Sequence, residues 1–512
     1  MTKTTGGKRR RAQPPQRSGG LPAVARKSWP VALATLLLLA LAIPAAFLMA
    51  PGFVGPEPPA AAPAPPAWQQ VPATVASPQG LAALQPSAPV PAATAVTAQV
   101  DPALQTESGG TFTGVVQDAL TGQVLYDRGG TENRVPASNL KLLTAVAALR
   151  TLGPDHRFST QVVPGSDPGQ VVLVGGGDVL LAAGESRPQQ TMGHAGLATL
   201  AARTVEALQA AGTTGAVKVL LDDSLFSGPA LNPAWQAGDV EAGEVAPLYP
   251  LALNAARFDP AVTTGPRPQD AAMVAAEEFA ARLRTAGAGA GLTVAAGVER
   301  SPAAGRAAVP HAGAGPSAPA LHPAVLAKVD SATVAEQVDL MLQVSDNYLA
   351  ETMGRMAAVA SGLPGSGEAA AAAVSAQLAA AGISMDGLKL LDVCGLAMEN
   401  RVSARQLTEV VRAITTGADT RLRAALDGFP VAGLTGTLDT RYGNAATSGG
   451  AGLVRAKTGT LNTVLALSGY VVDADGRLLV FSFVGNGLTP GAAGNKEALD
   501  RAATALAGCG CR

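Results

Sequence analysis

Residues 135–144 read VPASNLKLLT, and this stretch places a serine, Ser138, three positions before a lysine, Lys141. Pro136 and Ser138 are typical of a helix start, so the spacing predicts that both side chains leave the same face of the first turn. A serine hydroxyl becomes an effective nucleophile only when a base takes its proton, and a lysine with a lowered pKa is such a base. Taken alone, the pattern also fits an N-cap serine followed by a solvent-facing lysine.

A second polar group, SDN at residues 345–347, follows the run Val334–Val344, whose spacing predicts a helix. At a junction between a helix and a loop, the Ser345 hydroxyl can relay a proton and the Asn347 amide can orient an amide substrate. Taken alone, the triplet also fits a helix C-cap with polar turn residues.

A third group, KTGT at residues 457–460, lies at the end of the first of three strands that the sequence predicts as a meander, near Gly452–Thr458, Val464–Val472 and Arg477–Val484. Gly459 has no side chain, so an extended peptide can approach the strand backbone closely. Lys457 and Thr458 offer a cation and a hydroxyl to a terminal carboxylate. Taken alone, this group also fits an ordinary strand end with a solvated lysine.

The three groups occur in the order S-x-x-K, S-D-N and K-T-G, which is the signature of penicillin-binding proteins and class A β-lactamases. Together with residues 135–144, the segments SDNYLAE (345–351) and GTLDTR (436–441) resemble the low-molecular-mass class C penicillin-binding proteins. These are the D-alanyl-D-alanine carboxypeptidase/endopeptidase family, and the resemblance covers about residues 100–508. About 200 residues lie between the first two motifs, far more than in a class A β-lactamase.

The chain departs from this family at residues 391–397, which read LDVCGLA. Cys394 replaces a serine that is usual in the family. Because a free cysteine generally behaves as a small buried hydrophobe, we expect packing at this position rather than nucleophilic chemistry.

The resemblance implies a serine-type D-Ala-D-Ala carboxypeptidase, or also an endopeptidase, that acts on peptidoglycan stem peptides and is inhibited by β-lactams. It implies no cofactor and no metal. Ser138 would attack the substrate carbonyl with Lys141 as the base. The other implied roles are proton relay by Ser345, substrate amide binding by Asn347, carboxylate binding by Lys457 and Thr458, strand contact at Gly459, and an oxyanion hole made by the backbone N–H groups of Ser138 and Thr460.

The expected fold is mixed α/β, a penicillin-binding transpeptidase-like domain with an antiparallel sheet and a helical part. Residues 100–159 and 326–512 would form this catalytic domain, with the active site between the sheet and the helices. A large inserted region, residues 160–325, would split it and form one or two smaller domains.

The amino-terminal residues predict an export signal or an anchor. Residues 1–30 hold eight Lys or Arg and no acid, and the apolar segment 31–50 is long enough to span a bilayer as a helix. The positive-inside rule then predicts a single-pass membrane protein with a cytoplasmic basic segment and an extracytoplasmic catalytic domain, or a secreted protein if the segment is cleaved. Residues 51–99, rich in Pro and Ala, predict an extended linker.

Composition excludes several classes of function. The 512 residues contain 37 basic and 38 acidic side chains, and the basic excess near the amino terminus leaves the remainder acidic, so nucleic acid is a poor partner. Three cysteines exclude a disulfide scaffold, although Cys509 and Cys511 could pair or stay free. Four histidines without H-x-x-x-H spacing argue against a zinc enzyme.

Two alternatives to the carboxypeptidase stay open on the sequence. One is a catalytically silent wall-binding or scaffolding protein of the same fold, and the other is a serine β-lactamase. Intact Ser138, Lys141 and Lys457 argue against the first, and the long inserted region argues against the second.

Overall fold

The computed structural model describes residues 87–302 and 324–510, together with Ala34. The chain divides into two units, Met1–Ala76 and Ser77–Arg512, and every element named below belongs to the second unit.

Helices and strands alternate irregularly along the described residues. In chain order the α-helices are α1 (Ala93–Ala103), α2 (Lys141–Thr151), α3 (Leu197–Ala210), α4 (Ala237–Glu241), α5 (Ala271–Gly287), α6 (Val334–Gln343), α7 (Asn347–Ala360), α8 (Gly367–Ala380), α9 (Ala404–Thr416) and α10 (Ala493–Ala507). The strands are β1 (Gly109–Asp118), β2 (Val124–Arg128), β3 (Asn133–Arg134), β4 (Arg157–Pro164), β5 (Gln170–Val174), β6 (Gly215–Asp222), β7 (Leu292–Val294), β8 (Glu299–Arg300), β9 (Ala327–Thr333), β10 (Val402–Ser403), β11 (Arg455–Leu461), β12 (Val464–Val472) and β13 (Leu478–Leu488).

A five-stranded antiparallel sheet unites the two ends of the described chain. Its order is β11-β12-β13-β1-β2, so the carboxy-terminal meander pairs with the first hairpin through β13 and β1. Phe481 and Phe483 of β13 pack with α1 and α10, whereas Val480 and Val484 point to the opposite face and pack with the helical part. Because both faces are covered, β13 is almost continuously apolar.

The helical part is built around α2. This helix packs against α6, α7, α8 and α9, and every residue from 141 to 149 is buried. The spacing of Leu142, Val146 and Leu149 predicts one apolar face on this helix, but the helix is enclosed on all sides. The 3-10 turn that leads into it, Ala137–Leu140, lies beside β11 and β12 of the sheet.

A second sheet has the order β7-β6-β5-β4-β9, with β8 also paired to β6. The β5, β6 and β7 strands run parallel, whereas β4 pairs antiparallel with β5 and β9. Helices α3 and α5 pack together on this sheet. It draws on residues 157–333, so it extends a few residues beyond each end of the predicted inserted region, 160–325.

Two further expectations differ from the structure near the amino terminus. Helix α1 begins at Ala93 and buries Val96 and Val100, so the last part of the predicted linker is helical. The prediction of a single-pass membrane protein is contradicted by the helices of the described residues, none of which is long and apolar enough to cross a membrane. The anchor segment 31–50, on which that prediction rests, lies outside the described residues except for Ala34.

Candidate active site

Ser138 and Lys141 lie in direct contact at the start of α2. Ser138 belongs to the 3-10 turn Ala137–Leu140, and Lys141 is the first α-helical residue. The Lys141 Nζ donates to Ser138 Oγ at 2.9 Å. Ala137 has a φ of 47°, an unfavourable left-handed conformation that sets Ser138 at the sharp entry to the helix.

The turn that carries Ser138 is fixed to the sheet through Asn139, which is fully buried. With its amide oriented so that both polar atoms are paired, Asn139 donates to the Lys457 carbonyl oxygen at 2.8 Å and accepts from Ser468 Oγ at 2.7 Å. These bonds connect the first motif to β11 and β12. The sequence carries no local signal of this role, because the partners of Asn139 lie more than 300 positions away.

Gly459 permits this close approach of β11 to the turn. A Cβ atom on Gly459 would lie 3.0 Å from the Ala137 Cβ and 3.0 Å from the Pro136 carbonyl oxygen. The third motif lies in the middle of the edge strand β11 rather than at the end of a strand. The turn that carries Ser138 packs so close to this strand that it favours glycine at position 459.

Lys141 is enclosed by acceptors. Besides Ser138, its Nζ donates to Asn347 Oδ1 at 2.6 Å and to the Cys394 carbonyl oxygen at 2.7 Å. Burial lowers the pKa of Lys141 below its ordinary value, and the negative charges of nearby groups, Asp392 and Asp346 among them, oppose that shift. A buried amine with a lowered pKa is suited to accept a proton from Ser138.

The second and third motifs meet at Ser345 and Lys457. The Lys457 Nζ donates to Ser345 Oγ at 2.9 Å and to the Thr458 carbonyl oxygen at 2.9 Å. Burial, followed by the charge of Lys141, holds the pKa of Lys457 well below its ordinary value. Ser345 has a φ of 59°, so it is the second residue of the site, after Ala137, with a strained left-handed backbone.

The SDN triplet joins two helices rather than a helix and a loop. Helix α6 ends just before Ser345, and Asp346 is the N-cap of α7, accepting from the Leu349 N–H at 2.7 Å. Asn347 is the first residue of α7, and its Nδ2 donates to the Glu244 carbonyl oxygen at 3.0 Å. The predicted helix-to-loop junction is thus a tight helix-to-helix turn.

A cleft of about 870 Å³ opens over these groups. Of the predicted site residues, the cleft is lined by Ser138, Ser345, Asn347, Thr458 and Thr460. Lys141 and Lys457 are fully buried beneath it. The Thr458 hydroxyl also lies 2.7 Å from the hydroxyl of Thr437, which belongs to the segment GTLDTR.

A buried acidic cluster, which the sequence does not predict, lies behind Lys141. Glu351 Oε1 accepts from the Val393 N–H at 2.7 Å and from the Cys394 N–H at 2.9 Å, which fixes the backbone that presents its carbonyl to Lys141. Burial, followed by the charge of Asp392, raises the pKa of Glu351 to about 7. Burial also raises the pKa of the Cys394 thiol well above its ordinary value, which keeps that thiol neutral.

The Asp392 carboxylate organises the same segment. It accepts from the Trp235 indole N–H at 2.9 Å and from the Asn400 amide at 2.7 Å, as well as from two backbone N–H groups. Asp392, Glu351 and Cys394 bring potential ligand atoms within 4.8 Å of one another. Both Asp392 oxygens and Glu351 Oε1 already accept hydrogen bonds from the protein, so this donor set fits a structural network better than a metal site.

The comparisons with known proteins agree with this geometry. A model of the family described as D-Ala-D-Ala carboxypeptidase 3 (S13) matches residues 96–299 and 311–506. A carboxypeptidase of Mycobacterium tuberculosis is 38% identical over 454 residues, which are 88% of this chain and 90% of that protein. Carboxypeptidase DacB of Mycolicibacterium smegmatis is 35% identical over 494 residues, 94% of this chain and 97% of the relative.

Solved structures share the fold. Penicillin binding protein 4 of Haemophilus influenzae matches with a TM-score of 0.61 at 20% identity, over 80% of this chain and 97% of that one, and its complex with a β-lactam matches with a TM-score of 0.56. The predicted mixed α/β fold of the penicillin-binding class is therefore confirmed. Because the family model covers most of the chain and both relatives exceed 30% identity over nearly its full length, this chain belongs to the D-Ala-D-Ala carboxypeptidase 3 (S13) family, as the resemblance of its motifs predicts.

Proposed function

We propose that this chain is a serine-type D-Ala-D-Ala carboxypeptidase that acts on peptidoglycan stem peptides through an acyl-enzyme at Ser138. The observation that carries the proposal is the 2.9 Å contact between Ser138 Oγ and the buried amine of Lys141. A serine hydroxyl and a buried amine in contact beside a cleft would supply a nucleophile, its base and a place for the substrate, which supports the proposal. Membership of the family and the names of the two mycobacterial relatives support the same activity.

Acylation would begin with attack of Ser138 Oγ on the carbonyl carbon of the penultimate D-Ala. The hydroxyl proton would pass to neutral Lys141, and the carbonyl oxygen would become an oxyanion. The backbone N–H groups of Ser138 and Thr460 would stabilise this charge, and loss of one such donor typically costs about 2.7–4 kcal/mol. Both residues line the cleft.

Collapse of the tetrahedral intermediate would release the terminal D-Ala. Its amine needs a proton, which the Ser345 hydroxyl would give and Lys457 would replace across their 2.9 Å hydrogen bond. An anion favours the charged form of a neighbouring amine. A substrate carboxylate beside Thr458 would therefore raise the lowered pKa of Lys457, and Lys457 would hold the proton that it passes to Ser345.

Substrate positioning would use the amide of Asn347 and the backbone of β11. Both polar atoms of the Asn347 amide have protein partners: Oδ1 accepts from Lys141, and Nδ2 donates to the Glu244 carbonyl. A substrate amide would replace the Glu244 carbonyl as the partner of Nδ2, and the bond to Lys141 would stay in place. Water would then hydrolyse the acyl-enzyme. Lys457, neutral after acylation, would take the water proton through Ser345, and Lys141 would return its proton to Ser138 as the ester bond breaks. A β-lactam would acylate Ser138 in the same way and leave a slowly hydrolysed ester.

The test is acylation of the full chain by a fluorescent penicillin, followed by intact mass, beside a Ser138→Ala variant. We expect one covalent adduct on the wild-type chain and none on the variant. Release of free D-Ala from a peptide ending in D-Ala-D-Ala distinguishes the carboxypeptidase from its two alternatives. A folded wild-type chain without an adduct would support the scaffold, and rapid release of hydrolysed penicillin without D-Ala release would support the β-lactamase.

A further inference from the structure

We propose that Arg257, contributed by the inserted region, is a positioning residue of the active site. Through its ion pair with Asp346 it would fix the turn that carries Ser345 and Asn347, and it would offset a negative charge beside Lys141. The inference rests on the proposed function, because it concerns the base of that reaction. It gives the inserted region a part in the chemistry, beyond any contribution to substrate binding.

The ion pair joins two distant parts of the chain inside the protein. The Arg257 Nη2 lies 2.6 Å from Asp346 Oδ2, with side-chain exposures of 9% and 2%. The other carboxylate oxygen, Asp346 Oδ1, accepts from the Leu349 N–H at 2.7 Å and caps α7. One carboxylate therefore connects the inserted region to the start of the helix that carries the second motif.

The turn between α6 and α7 needs such an anchor. Ser345 has a φ of 59°, and a residue other than glycine holds this conformation only where its surroundings impose it. Asn347, two positions later, contacts Lys141 at 2.6 Å. A displacement of Asp346 would therefore move both the Ser345 hydroxyl and a partner of the base.

The pair also affects the charge around Lys141. The negative charge of Asp346 favours the protonated lysine, whereas Ser138 is activated only by the neutral form. The positive charge of Arg257, held against Asp346, offsets this effect. The other titratable groups that act on Lys141 are Glu351, Asp392, Cys394 and Lys457. Arg267 interacts electrostatically with both members of the Arg257–Asp346 pair, and it also interacts with Glu244 and Tyr348.

The experiment measures the rate of Ser138 acylation by a fluorescent penicillin against pH, in the full chain. Arg257→Gln removes the positive charge. We expect the ascending limb of the profile, where the acylation rate rises with pH, to shift to higher pH by about one unit, which makes the rate at pH 7 about tenfold slower. Arg257→Lys keeps the charge and should leave the limb in place. Asp346→Asn keeps an N-cap residue at α7, so the double variant Arg257→Gln/Asp346→Asn should return the limb towards the wild-type position.

Arg300→Gln is the matched control, because Arg300 pairs with Asp223 and Asp270 entirely within the inserted region. Its profile should coincide with that of the wild type. The inference is overturned if Arg257→Gln leaves the limb unmoved, or if the Gln and Lys variants lose rate by the same factor at every pH, which indicates a structural role alone. A wild-type chain that forms no adduct at Ser138 would overturn the proposed function as well, so the two failures are distinguishable.

Discussion

The carbonyl oxygen of Cys394 lies 2.7 Å from the Nζ of Lys141, so the cysteine that departs from the family pattern contacts the proposed base through its backbone. Its thiol points away, 3.5 Å from Asp392 Oδ2, and is fully buried. The part of Cys394 that matters to Lys141 is therefore common to every amino acid. The unusual side chain belongs to the packing behind the site.

Replacement of Cys394 by serine should accordingly preserve acylation. The carbonyl contact with Lys141 is unchanged, and the smaller hydroxyl can donate to Asp392, so we expect an acylation rate within about twofold of the wild type. The free energy of unfolding should change by about 1 kcal/mol, as for other small changes in a packed interior. Acylation kinetics with a fluorescent penicillin and urea denaturation provide the two measurements. Abolished acylation in a folded Cys394→Ser chain would show that the thiol itself takes part.

Lys141→Ala should remove the proposed base and slow acylation by about 10²–10⁴-fold, the range that general base catalysis commonly contributes. The change also leaves the Asn347 amide oxygen and the Cys394 carbonyl without their buried donor. Thermal denaturation must therefore be measured beside the kinetics. Lys389→Ala, at an exposed lysine, is the control and should acylate normally. Near-normal acylation of Lys141→Ala at neutral pH would assign the base to another group.

Glu351 predicts a pH-dependent stability. Its pKa is raised to about 7 in the folded chain, so the folded state holds this proton more tightly than the unfolded state does. The contribution of Glu351 to stability is therefore greatest below its unfolded pKa of about 4.3 and is lost as the pH rises through 7. Glu351→Gln carries no charge and keeps an oxygen for the Val393 and Cys394 N–H groups.

The free energy of unfolding of Glu351→Gln, relative to the wild type, should therefore increase by about 2–3 kcal/mol between pH 5 and pH 8. Urea denaturation at several pH values gives this difference. Glu399→Gln replaces an exposed carboxyl and should show no such trend. A difference between Glu351→Gln and the wild type that stays constant with pH would contradict the raised pKa.

Much of the fold can be predicted from the sequence because local patterns of residues determine many of its strands and helices. The sequence predicts the meander near Val464–Val472 and Arg477–Val484, and the structure has β12 and β13 there. Alternation and turn residues determine such strands locally. Helix α1 is not predicted, because the stabilising contacts of Val96 and Val100 come from α10 at the far end of the chain.

The residues of the candidate site likewise fall into those that local sequence identifies and those that only the tertiary fold identifies. The three motifs are short enough to be recognised, and the structure brings their side chains together. Arg257, Glu351 and Asn139 cannot be identified from the sequence, because each acts through a partner that only the tertiary fold supplies. A single arginine among those of residues 160–325 carries no local signal that distinguishes it from the others.

Gly459→Ala tests the close contact between the first and third motifs. The added Cβ would lie 3.0 Å from the Ala137 Cβ and 3.2 Å from the Ser138 nitrogen, both of which belong to the turn that precedes α2. Neither neighbour can turn away as a flexible side chain would, so β11 or the Ser138 turn must move. We expect a loss of about 1–3 kcal/mol in the free energy of unfolding, typical of overpacking.

The acylation rate should fall sharply in Gly459→Ala, because a shift of about 1 Å at a reacting group can slow a reaction about a hundredfold. This effect should exceed the effect on stability. Gly443→Ala is the matched control, since a Cβ at Gly443 meets nothing within 4 Å. Penicillin acylation and thermal denaturation of both variants separate the two effects. If Gly459→Ala acylated at the wild-type rate, the position of Ser138 would not depend on the packing of β11, and the glycine of the third motif would serve the approach of substrate alone.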